Sequence, residues 1–331
     1  MPCVLEALKE SADESFPGYG EDECCAKAAD LIRALCSSPE AEVRFLPGAT
    51  QTNFVLIAAA LNSVQSVIAP DSGHINSHEA ASIENTSHKI LPLPNRNGKL
   101  AASQIESCAN EYYASGEAEY LTEPKLVYIS FPTEQGTLYS LAELEEISAV
   151  CKKYGMYLFV DGARMAYGLG SPENDVSLCD FARLADAFYL GGTKCGALMG
   201  EALVITNPAL KRRFKAYMKQ NGAVLAKGWL LGLQFSAMLE NGEYFAAGKR
   251  ADELALRIKA AFEKKEIPFA PESFTNQQFV VLTDEQKKKL SEKYIFEDEG
   301  KTEKGSLVRF CTSWATTEED AEELIKDILA L

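Results

Sequence analysis

Two residues of this chain have types and spacing that could do chemistry together: a lysine on a glycine turn and an aspartate closing an apolar run. Lys194 stands in Gly191-Gly192-Thr193-Lys194, directly after the run 186–190. Asp161 ends the run Met156-Tyr157-Leu158-Phe159-Val160-Asp161 and opens Asp161-Gly162-Ala163-Arg164. They lie roughly 30 residues apart, about one strand–helix–strand unit, so they can top neighbouring parallel strands at the carboxyl edge of an α/β sheet, where such sheets hold ligands. An amine beside a carboxylate is the pair that pyridoxal 5'-phosphate needs: the lysine forms an imine with the aldehyde, and the aspartate keeps the pyridine nitrogen protonated. Gly48-Ala49-Thr50-Gln51-Thr52-Asn53, between a short strand and a helix, could hold a monophosphate on helix N-terminal N–H groups and the Thr50 hydroxyl. His74 follows the strand 66–69 and falls on the same edge, where an imidazole could stack on the ring or titrate near neutrality. His88 precedes a strand, lies at its opposite end and reads as structural.

The elements that must position these residues alternate. Short apolar strands are predicted at 43–46, 66–69, 89–92, 126–130, 156–161, 186–190 and 201–206, with helices at 20–36, from Thr50, and at 76–86, 101–115 and 140–153. This pattern implies an α/β fold with a mostly parallel seven-stranded sheet flanked by helices. Residues 222–240 read as a long linking helix. From about 244 the pattern becomes helix, strand near 277–283, helix at 284–293, charged hairpin tip at 297–305, strand Leu307–Cys311 and a final helix from Thr317, a smaller C-terminal α+β domain. The expected division is an N-terminal segment 1–20, a large cofactor-binding domain 21–240 and a small domain 241–331.

With 331 residues the chain can bury a large core, and its 48 acidic against 33 basic residues give a net charge of −15. That balance argues against nucleic acid or anionic membrane as a partner. No apolar stretch reaches the roughly 18 residues of a membrane helix, and Glu6, Lys9 and Glu10 stand where a secretory core would be, so a cytoplasmic protein is expected. Nine cysteines without CxxC spacing read as reduced thiols, and Cys195 as a bystander beside Lys194. Three histidines within 74–88 fall short of a metal ligand set.

Seven motifs in order carry a family resemblance: Pro17-Gly18-Tyr19-Gly20-Glu21-Asp22, the 48–53 segment, Gly73-His74-Ile75-Asn76, Pro132-Thr133-Glu134-Gln135-Gly136-Thr137, Asp161-Gly162-Ala163-Arg164, Thr193-Lys194 and Val308-Arg309-Phe310. From about Pro17 onward the chain resembles the pyridoxal-phosphate-dependent threonine aldolase and β-eliminating lyase family, of the aspartate-aminotransferase fold type I, and most of all the low-specificity L-threonine aldolases. The resemblance implies that Lys194 and Thr193, Asp161, His74, Arg164 and the Gly48, Ala49 and Thr50 loop bind the cofactor. It further implies that Arg164 and Arg309 hold the carboxylate of an amino acid substrate, which suits the planar fork of arginine.

The expected reaction is retro-aldol cleavage of L-threonine or L-allo-threonine to glycine and an aldehyde. The alternatives are β-elimination on another amino acid and a cofactor-binding protein without turnover. Three departures stand out. An Asn-Asp or Ser-Asp-Asn motif that many relatives carry near their start has no counterpart here. Thr133-Glu134 replaces a histidine context of other threonine aldolases, leaving His74, Glu134 or a water between them as the base. Ala49 replaces a common glycine, which requires negative φ there. The resemblance also implies a homodimer or homotetramer with shared active sites, in which Tyr19 and Lys219-Gln220-Asn221-Gly222 act in the neighbouring subunit.

Overall fold

The computed structural model describes residues 1–331. The larger sheet contains β1 (Glu42–Leu46), β2 (Gln65–Pro70), β3 (Lys89–Leu93), β4 (Glu123–Ser130), β5 (Tyr157–Asp161), β6 (Ala187–Gly191) and β7 (Glu201–Ile205). Their order is β1-β7-β6-β5-β4-β2-β3. Pairings among β2 to β6 are parallel, and β7 runs against both β6 and β1. The apolar runs are continuous because both faces are covered. Leu126, Tyr128, Phe159 and Tyr189 enter one apolar cluster, while Val127, Val160, Phe188 and Leu190 enter the other. The same two-residue alternation puts Asp161 on the face that carries Phe159.

Helices cross over between the strands. Leu141–Tyr154 starts at a reciprocal Ser140/Glu143 capping box and stops at Gly155, whose φ is 63°. The second sheet is antiparallel and made of β8 (Gln277–Leu282), β9 (Glu297–Thr302) and β10 (Gly305–Cys311), in the order β8-β10-β9. Val280, Leu282, Val308 and Phe310 pack there against Phe262, Leu290 and Ile328 of three helices. The 22-residue helix Glu243–Lys264 joins the two sheets. At its start Tyr244 Oη donates to the Gly191 carbonyl at 3.0 Å, beside the lysine turn; its later turns cover the second sheet.

Three elements differ from the sequence reading. The predicted helix 76–86 is a single turn at His74–Ser77 followed by turns and a 3-10 segment at Glu84–Thr86. Ala80 and Ala81 adopt positive φ, which stops the helix and lets buried Glu79 face Asn53. The linking helix begins at Trp229 rather than 222, because Gly222 turns left-handed at φ 72° and the chain then packs against Gly20. The charged segment 297–305 is mostly strand, since β9 occupies 297–302 as an exposed edge strand whose charges hide its β character. A helix at Pro2–Glu10 lies within the segment 1–20.

Candidate active site

Asp161 is 4% exposed and accepts four hydrogen bonds. On Oδ1 these come from Tyr189 Oη at 2.5 Å and Ala163 N at 2.9 Å. On Oδ2 they come from Tyr128 Oη at 2.6 Å and Asn53 Nδ2 at 3.1 Å. Sheet register supplies the tyrosines: β4 and β6 flank β5, and their inward residues on this face are Tyr128 and Tyr189. Burial, reinforced by the Asp161 charge, holds both phenols well above their usual range, so they remain donors. Gly162 permits the close approach of β5 to β6, since a Cβ there would lie 1.8 Å from the Tyr189 carbonyl oxygen.

Lys194 stands on a 3-10 turn, Thr193–Cys195, at the end of β6. Tyr167 Oη donates to its carbonyl at 2.7 Å, and buried Glu201 accepts the Gly192 N–H at 2.8 Å from beneath the turn. Burial lowers the pKa of the Lys194 amine, and the neighbouring Arg164 charge lowers it further. Burial also raises Glu201, to about 8. Arg164 is half-buried at the start of the helix Met165–Gly170. No hydrogen bond or ion pair engages its guanidinium.

The loop after β2 brings in His74, whose Nδ1 lies 2.7 Å from Glu79 Oε1. Glu79 also accepts from Asn53 Nδ2 at 2.8 Å, so Asn53 bridges the imidazole's carboxylate to Asp161. Across the cavity, Glu134 Oε1 accepts the His74 N–H at 2.9 Å and the Ser130 hydroxyl at 2.6 Å. Its Oε2 is buried without a partner. Burial raises the pKa of Glu134.

His74, Glu134, Asp161, Arg164 and Lys194 line one cavity together with Ala49. Ala49 opens the helix Ala49–Ala60 with a negative φ, so the substitution of a glycine is unstrained. That helix has no side-chain cap at Gly48, and the N–H groups of Ala49, Thr50 and Gln51 have no acceptor within the chain. Gly48, Thr50 and exposed Thr193 stand beside the cavity lining rather than in it. Arg309 also stands outside it, engaged by Gln277 and Glu299. His88 is buried away from the cavity, with Nδ1 2.9 Å from Thr86 Oγ1.

These residues fit pyridoxal phosphate. The donor-rich helix start suits a phosphate, the amine an aldehyde, and the buried carboxylate a pyridinium. The family described as beta-eliminating lyase matches residues 9–285. The chain belongs to the beta-eliminating lyase family. Curated relatives include a low specificity L-threonine aldolase of Pseudomonas aeruginosa, 30% identical, with 99% of this chain and 93% of the relative covered. Another is the low specificity L-threonine aldolase of a Pseudomonas species, 29% identical, over 100% of this chain and 94% of the relative. Among solved structures, a Leishmania major threonine aldolase is 42% identical with a TM-score of 0.96, over 99% of this chain and 95% of that one. Pyridoxal phosphate is the cofactor of this family of lyases.

Sequence reasoning missed Tyr128, Tyr189, Glu79 and Glu201 as contributors. The tyrosines are apolar strand residues by pattern, and only strand order places them beside Asp161. Asn53 lay within a quoted motif, but nothing local indicates that it reaches Asp161 and Glu79 together.

Proposed function

We propose that this family member is a pyridoxal-phosphate-dependent aldehyde-lyase that cleaves L-threonine and L-allo-threonine to glycine and acetaldehyde. The observation that carries this reading is the unpartnered Oε2 of buried Glu134 in the same cavity as Lys194, Asp161 and Arg164. An acceptor left free beside the lysine and aspartate is available to take a proton from a β-hydroxyl. The names of the relatives agree with the reaction.

In this reading Lys194, Asp161, His74 and the first turn of Ala49–Ala60 would hold the cofactor, the amine engaging its aldehyde, the carboxylate its ring nitrogen, the imidazole its ring and the helix N–H groups its phosphate, with Gly48, Thr50 and Thr193 at the margin. Bound there, pyridoxal phosphate supplies an electron sink for a bond broken at Cα. Arg164 and Arg309 would hold the substrate carboxylate and so orient the amino acid for cleavage at Cα–Cβ. Glu134 Oε2 then takes the β-hydroxyl proton as Cα–Cβ breaks, and a base with its pKa raised by burial is better matched to that transfer near neutrality. Acetaldehyde leaves, a proton returned to Cα gives glycine, and the lowered pKa of Lys194 favours the neutral amine that must act again.

The proposed assembly is a homodimer or homotetramer in the cytoplasm. Exposed Tyr19 carries Lys219 over its ring at 5.1 Å, and neither residue lines the cavity of its own chain. Gln51 Nε2 donates to the Asn221 carbonyl at 2.7 Å, tying this surface to the helix that starts at Ala49. No helix is long and apolar enough to cross a membrane. The test is to reconstitute the protein with pyridoxal phosphate, record its visible absorbance and assay acetaldehyde from L-allo-threonine beside Lys194→Ala. Acetaldehyde and glycine support the reading. Ammonia and a keto acid, or a coloured protein without turnover, overturn it.

A further inference from the structure

Arg309 is held from β9 by a residue that should not reach it. Gly300 opposes Leu307 on β10, so an unbroken ladder would set Glu299 opposite Val308. The register instead shifts, with Asp298 opposite Val308 and Glu297 opposite Arg309, which makes Glu299 the extra residue of a β-bulge. Gly300 next to it has φ 114°. Val308 points into the helix-covered core, and Asp298 on that side pairs with Lys287 of the helix Asp284–Ser291. Glu299, expelled from that position, reaches Arg309 Nε at 3.2 Å. Re-aiming a side chain is what such bulges do.

A guanidinium meets a carboxylate bidentately through its Nε/Nη2 edge or its Nη1/Nη2 edge. Arg309 has one nitrogen of each edge occupied: Nε by Glu299, and Nη1 by Gln277 Oε1 at 3.2 Å. The two holds are unlike. Gln277 is neutral and fully buried, a fixed brace. Glu299 is charged, and its side chain is 31% exposed. The Nε–H does not point along the contact and makes no aligned hydrogen bond, so it is an ion pair that can open toward water. Arg164, the other arginine assigned to the substrate carboxylate, has no partner at all.

We propose that Glu299 is an internal stand-in for the substrate carboxylate, occupying Arg309 in the ligand-free protein and competing with substrate for it. This rests on the reading of Arg309 as a carboxylate-binding residue. A substrate carboxylate that takes the Nε/Nη2 edge must displace Glu299, and one that takes the other edge brings a second negative charge onto the same guanidinium. Either way the ion pair sets a threshold. Arg164 alone attracts any anion, whereas Arg309 opens only to a carboxylate placed to outcompete Glu299. Glu299 is thus a positioning residue that tunes affinity and discriminates among carboxylates, outside the bond-breaking steps.

The experiment compares Glu299→Gln and Arg309→Lys with the wild-type holoenzyme, measuring KM and kcat for L-allo-threonine, Ki for glycine and Tm. For Glu299→Gln, KM and the glycine Ki are expected to fall together by about two- to fivefold, the size of a partly exposed ion pair, with the change in KM rather than kcat. The difference from wild type should shrink as salt rises. Unchanged or raised KM and Ki in Glu299→Gln, alongside a strong KM increase in Arg309→Lys, overturn the competition while leaving Arg309 in its role. An Arg309→Lys variant with unchanged KM overturns that role and the inference with it. A purely structural Glu299 would lower Tm and leave Ki where it was, which also overturns the inference.

Discussion

Glu134 Oε1 accepts the backbone N–H of His74 at 2.9 Å, which joins the loop after β4 to the loop after β2 across the cavity. One oxygen of this carboxylate thereby holds the two loops together, while the other is left free for the proton transfer in the proposed reaction. Glu134→Gln separates the two: its amide oxygen can keep the contacts to His74 and Ser130, while the position of Oε2 becomes a donor and loses its basicity. kcat for L-allo-threonine is expected to fall by about 10²–10⁴, the usual contribution of a general base, with KM little changed. A fall of less than about threefold would move the base elsewhere. In the wild type, the acid limb of the kcat/KM profile should lie above the ordinary glutamate value of about 4.3, because burial raises Glu134.

Asp161 is surrounded by donors only, from Tyr189, Tyr128, Asn53 and the Ala163 N–H. Asp161→Asn inserts an NH2 group among them, so at least two donors face each other in a buried site. The expected cost is about 1–3 kcal/mol of stability, that of a buried polar group left unsatisfied, together with weakened cofactor retention. Thermal melts of the apoprotein isolate the first effect, and absorbance after dialysis against buffer measures the second. An apoprotein as stable as wild type would mean that the network relaxes freely around position 161.

Glu201 lies beneath the lysine turn and bonds the Gly192 N–H at 2.8 Å. Its charge favours the protonated form of Lys194, against the larger effects of burial and Arg164. With its own pKa raised to about 8, Glu201 exerts that influence mainly on the alkaline side. Glu201→Gln removes it and keeps an acceptor for Gly192. The Lys194 amine should then become neutral at lower pH, so the pH profile for cofactor capture by the apoprotein shifts to lower pH. A profile that stays in place would confine Glu201 to holding the turn.

The central strands were legible because they are buried on both faces and read as unbroken apolar runs, and Asp161 and Lys194 because one ends such a run and the other stands on the glycine turn just after one. The cavity residues were legible one by one, not as a network. Tyr128 and Tyr189 carry no local sign that strand order will aim both hydroxyls at Asp161. The sequence pattern puts Glu79 on a helix that Ala80 and Ala81 break, which conceals its reach to His74. Glu299 was hidden for a related reason: nothing in Glu297-Asp298-Glu299-Gly300 announces a strand, still less the bulge that turns one carboxylate toward Arg309.

Asp252 has no counterpart in the proposed chemistry and carries a pH signature of its own. It is fully buried on the helix Glu243–Lys264, no side chain pairs with either oxygen, the Asn276 backbone N–H is the group that offsets part of the burial, and a Cβ on Gly170 would come within 2.8 Å of Oδ2. Burial raises its pKa to about 9, with Glu253 adding to the effect. The unfolded chain loses this proton near 3.9, whereas the folded chain keeps it to about 9. Between those values the folded state binds more protons than the unfolded state, so this group's contribution to stability falls as pH rises. Asp252→Asn retains the shape without the titration. Its stability relative to wild type should be near parity at about pH 4 and gain about 1.4 kcal/mol for each pH unit above that, reaching several kcal/mol by about pH 8–9. In a chain of this size that is roughly 5–10 °C in Tm. Melts of both proteins across that range decide the matter: a constant difference would mean that Asp252 is ionised and partnered in solution.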